Sequence, residues 1–102
     1  MNYTELYETF VRERKIKLIR YLFGQKMEFE FKVGIFILTL EQGAFDVASL
    51  LYKEFSYLMR TNSNEDNRQI VSRLVSAMNM ANEGSGMIEE KTFLIRVFME
   101  HF

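Results

Sequence analysis

The chain has no proline and only five glycines in 102 residues, and this scarcity limits its fold more than any other feature. Reversals in β-rich and loop-rich domains draw on both residues, proline for its preset φ and glycine for left-handed backbone. A chain poor in both is expected to build helices joined by short connections. Apolar residues make up 48% of it, with ten phenylalanines, enough to bury one core. A single domain of this length has a radius of gyration of about 13 Å.

Several function classes drop out at once. Without cysteine there is no disulfide, zinc–thiolate site or cysteine nucleophile. A net charge of −1 gives no general attraction to nucleic acid or to a membrane surface. The start "MNYTELYETF" carries two glutamates and no apolar run, so it does not read as a secretory signal. The most apolar stretch, Val33 to Leu40, is far shorter than the roughly 18 residues needed to span a bilayer, and is expected inside the core. The expected location is cytoplasmic.

Periodicity places three helices. One runs from about residue 65 to 83, with Ile70, Leu74, Ala77, Met78 and Ala81 at steps of three and four. Ser63 and Asp66 have capping-box spacing before it, and Gly84 stands where a helix stop is wanted. A second runs from about 45 to 60 on the stripe Val47, Leu50, Leu51, Phe55, Leu58 and Met59, with Gly43 upstream and the polar "TNSN" from Thr61 to Asn64 downstream. The third, about 88 to 101, has Phe93, Leu94, Val97 and Phe98 on one side and a second stripe of Ile95, Met99 and Phe102. A helix apolar on nearly all sides either runs through the middle of a domain or pairs with another subunit.

The first forty residues allow two readings. Leu6, Phe10, Ile16, Ile19 and Phe23 make a helical stripe, and Phe29, Val33, Phe36, Ile37 and Leu40 another. Yet Met27, Phe29, Phe31 and Val33 also alternate with Glu28, Glu30 and Lys32 like a half-buried strand. The helical reading is preferred. The expected fold is therefore mainly α, a compact bundle of four to five short helices. An α+β domain with a hairpin near residues 15–37 is the alternative.

A short echo crosses the chain. "LYETF" at Leu6 returns as "LYKEF" at Leu51, and Gly24 with Met27 returns as Gly84 with Met87, both G-x-x-M. Either apolar segments coincide by chance, or two related motifs, about 4–42 and 44–102, pack face to face with a groove at their seam. Short chains with such paired motifs resemble small proteins of filamentous archaeal viruses and similar mobile elements. The resemblance rests on length and on the LYxxF and G-x-x-M pairs, and no functional residue carries over from it. Six Asn, three Gln and seven Met depart from the composition of a very hot host.

No catalytic constellation emerges. The one histidine, His101, is penultimate, a poor position for a rigidly held acid or base. Glu28 with Glu30 and Glu89 with Glu90 point apart on a helix and do not converge on a metal. "GSGM" at Gly84 lacks the lysine of a phosphate loop. No cofactor, metal or enzymatic activity is expected.

What remains is surface. "RERKIKLIR" holds Arg12, Arg14, Lys15, Lys17 and Arg20 against Glu13, a local charge of +4. It reads as a solvated face, a dock for an acidic protein, or a phosphate-binding patch. A helix–turn–helix reading of residues 45–83 would turn Arg68 and Arg73 outward, although Glu65 and Asp66 would then repel phosphates. The expected function is a non-enzymatic protein–protein interaction module, binding a protein or peptide or pairing as a homodimer. Its expected contacts are Leu51, Phe55, Met87, Phe93, Phe98, Met99 and Phe102. The alternative is a small nucleic-acid-binding regulator using Arg14, Lys15, Lys17 and Arg20, or Arg68 and Arg73.

Overall fold

Two helix stops of the same geometry divide the N-terminal half. After α1 (Tyr3–Arg12), Arg14 adopts a left-handed φ of 54°. The Arg14 amide donates to the Val11 carbonyl and the Lys15 amide to that of Phe10, at 3.0 and 2.9 Å. After α3 (Phe29–Glu41), Gly43 has φ 72°, and the amides of Gly43 and Ala44 reach the carbonyls of Leu40 and Thr39. Both are paired Schellman closures of the final helical turn. Between them lies α2 (Ile16–Phe23), and the chain continues through α4 (Phe45–Thr61), α5 (Asn67–Met80) and α6 (Ile88–His101). The computed structural model describes residues 3–61, 67–81 and 87–101.

There are thus six helices among the described residues rather than four or five, and no strand. The extra boundary is the one at Arg14, where no glycine announces a stop. The hairpin alternative for residues 15–37 does not form. A strand would put Phe29, Phe31 and Val33 on one face, but on α3 Val33 is fully buried while Phe31 is 40% exposed. Glu28 is instead the extended residue before α3 (φ −60°, ψ 143°), and its carbonyl accepts the amides of Phe31 and Lys32. Glu28 and Glu30 suit the positive end of the helix dipole. The proposed cap at Ser63 and Asp66 and the stop at Gly84 lie outside the described residues.

The central pair is α3 and α4. α1 and α5 pack on α3, whereas α2 and α6 pack on α4. The Cα radius of gyration, 12.7 Å, matches one compact body. Four phenylalanines from four helices meet at its centre. Phe36 of α3 lies parallel to Phe55 of α4 with ring centroids 4.3 Å apart, and Phe98 of α6 stands edge-on to both at 5.9 and 6.1 Å. Phe23 of α2 closes on Phe55 at 6.4 Å. Such ring pairs add about 0.5–1.5 kcal/mol beyond area burial. Thr39, the polar residue of α3 buried in this core, donates its hydroxyl to the Ile35 carbonyl at 2.9 Å.

Candidate interaction surfaces

The contacts expected from sequence divide sharply by position. Leu51, Phe55 and Phe98 have no exposed surface. They join α4 to α6 inside the core and have nothing left to present to a partner. Phe93 is half-buried, edge-on to Tyr52 at 5.6 Å, and Met87 is half-buried against the core. Met99 is 63% exposed. Phe102 lies outside the described residues.

α6 therefore runs along the side of the molecule, not through its middle. Its inward side is Leu94, Val97 and Phe98. Its outward side carries Ile88, 65% exposed, then Thr92, half-buried Ile95 and Met99. The steps of four, three and four residues are those of alternating a and d positions along a helix seam. Exposed Glu89 and Arg96 stand at the same flank of this stripe, seven residues apart. Sequence reasoning missed Ile88; extending the Ile95–Met99 stripe one heptad toward the N-terminus would have found it.

α3 leaves a different kind of face open. Val33, Phe36, Thr39 and Leu40 are buried, whereas Glu30, Gly34 and Glu41 are exposed and Ile37 and Leu38 are half-buried between them. Two adjoining hollows flank this face. One, of about 590 Å³, lies toward α5 and is lined by Ser72, Ser76, Ala77 and Met80. The other, of about 450 Å³, lies toward α1 and includes Tyr7, Glu28, Phe31 and Gly34. Ile37, Glu41 and Arg73 border both, and Arg73 of α5 reaches Glu30 of α3 at 2.7 Å. A Cβ placed on Gly34 would meet nothing within 4 Å.

The basic residues are not brought into one free patch. Arg14 pairs with Asp46 at 2.9 Å, and Arg20 with Glu54 at 2.5 Å while also donating to the Leu50 carbonyl. Arg73 is likewise engaged, by Glu30. Lys15, Lys17 and Arg68 are exposed. α5 packs chiefly on α3, and its outer side, with Arg68, Ser72 and Ser76, is exposed. A hollow of about 600 Å³ between α2 and α4 does gather Arg20, Lys32 and Lys53 beside Tyr57, which is 67% exposed.

Among the described residues, no three or more of His, Asp and Glu gather where they could hold a metal ion. No helix among them is long and apolar enough to cross a membrane. No family model matches the chain, and neither a curated protein nor a solved structure matches it.

Proposed function

We propose that the protein is a non-enzymatic protein–protein interaction module that pairs with a second copy of itself through α6. One observation carries this reading: Ile88 and Met99 stand bare on either side of Ile95, opposite the stripe that anchors the helix to the core. An antiparallel pairing about a two-fold axis between Thr92 and Ile95 sets Ile88 opposite the partner's Met99. It also brings Glu89 within reach of the partner's Arg96, twice by symmetry. A parallel pairing would instead place Lys91 beside the partner's Arg96, opposing like charges. The charge pattern therefore selects the antiparallel register.

Sedimentation equilibrium tests it. A dimer is expected, with Ile88→Glu and Met99→Glu giving folded monomers. Arg96→Glu should weaken the dimer, and adding Glu89→Arg should restore it. A wild-type chain that stays monomeric up to about 1 mM, a threshold of about −4 kcal/mol of association, would end this proposal.

The hollow holding Lys32, Lys53 and Tyr57, beside the Arg20–Glu54 pair, supports a second reading, a groove that follows a nucleic-acid backbone with an aromatic side chain for stacking. Affinity for a random oligonucleotide should then fall steeply between about 50 and 200 mM salt and drop in Lys53→Glu. A flat salt response would dismiss it.

A further inference from the structure

We infer that the open face of α3 is a second docking site, separate from α6, and that its occupant is a cationic amphipathic helix of a partner protein. α3 reads FEFKVGIFILTLE, apolar around nearly its whole circumference, and a helix of that kind is covered on all sides. Here α4, α5 and α1 cover three sides, leaving Gly34, Ile37 and Leu38 without a lid.

Gly34 sharpens the argument. Glycine inside a helix costs about 0.5–1 kcal/mol relative to alanine. Nothing among the described residues calls for it, because a Cβ there would meet no neighbouring element within 4 Å. A missing side chain is useful where a second backbone comes close, as at helix crossings built on small residues. Gly34 lines one hollow, and the second adjoins it at Ile37 and Glu41, so both are open to the side chains of a helix laid along α3. From Glu30 to Glu41 the face is about 16 Å long, enough for three turns of a docked helix with apolar anchors at i, i+3 or i+4, and i+7.

Charge selects the occupant. Glu28, Glu30 and Glu41 border the face, and the single cation among the described lining residues, Arg73, is already paired with Glu30. A second copy laid on the same face about a two-fold axis between Gly34 and Ile37 would set Glu30 against Glu41, acid upon acid. Self-pairing is disfavoured here. A helix with lysine or arginine flanking its apolar stripe meets Glu28 and Glu41 at the two ends.

The test is selection from a displayed library of three-turn helical peptides, randomised on one face, against the full chain carrying Ile88→Glu. That background keeps the outcome independent of α6 pairing, whose failure is read separately as a change in mass. Enriched peptides should carry an apolar stripe and net positive charge. Their binding should drop by about tenfold or more in Gly34→Leu, and similarly in Glu41→Lys, with both variants melting no lower than the parent. Enrichment of neutral or acidic peptides, no enrichment, or binding indifferent to Gly34→Leu would overturn the inference. So would assembly of the peptide-free chain abolished by Gly34→Leu, which would make a second copy the occupant.

Discussion

α3 and α6 are both rich in apolar residues and leave opposite kinds of surface. On α6 the bare side is a ridge, with Ile88 and Met99 protruding, and its flanking charges, Glu89 and Arg96, complement their own two-fold image. On α3 the bare side is a depression at Gly34, bordered by acids that would repel their own image. Exposed apolarity alone marks a surface as unfinished. Shape and the order of charges decide whether a copy or a different chain completes it.

The broadest test asks whether the two sides of α6 differ as described. Phe98→Ala removes a ring in contact with Phe36 and Phe55, and should cost about 3–5 kcal/mol in urea unfolding. Met99→Ala, on the other side of the same helix, should leave monomer stability within about 0.5 kcal/mol. Comparable losses at the two positions would mean that α6 has no free side, and the contrast with α3 would collapse.

A second test moves to the end of α3. Gly43→Ala forces a Cβ into left-handed backbone and should destabilise by about 1–2 kcal/mol, visible as a lower melting temperature. Gly34→Ala in the same helix should act the other way, raising stability by about 0.5–1 kcal/mol and Tm by a few degrees. If Gly34→Ala lowers Tm, the face is packed within the chain and is no docking site.

These two glycines also mark how far the sequence could be read. The stop at Gly43 and the stripes of α4, α5 and α6 were legible, because residue type and spacing encode them locally. Ile37 and Leu38 could be assigned to a helix, but not to its open side. Which side of an all-round apolar helix gets covered depends on where α1 and α5 arrive, and no local pattern states that. The ion pairs Arg14–Asp46 and Arg20–Glu54 join residues 32 and 34 positions apart, so a basic cluster that looked free in sequence is partly neutralised in the fold. Leu51, Phe55 and Phe98 were expected on an apolar strip or seam that meets a partner, and an apolar strip is also what builds the centre of a core.

The smallest predicted effect concerns the stop that carried no signal. Arg14 holds the position that Gly43 holds on α3, with a side chain that disfavours it by about 1–2 kcal/mol. Its pair with Asp46 is exposed and offsets at most about 1 kcal/mol. Arg14→Gly should therefore be neutral or stabilising by a few tenths of a kcal/mol, even though an ion pair is lost. It also separates the two faces. This turn sets where α1 leaves α2, and Tyr7 of α1 walls the hollow beside Gly34, whereas α6 packs on α4 and α5. Peptide binding at α3 should be the property that shifts in Arg14→Gly, with the α6 dimer constant unchanged. A shift in dimerisation alongside the one in peptide binding would show that the two surfaces are coupled through the core, and that they cannot be treated as independent sites.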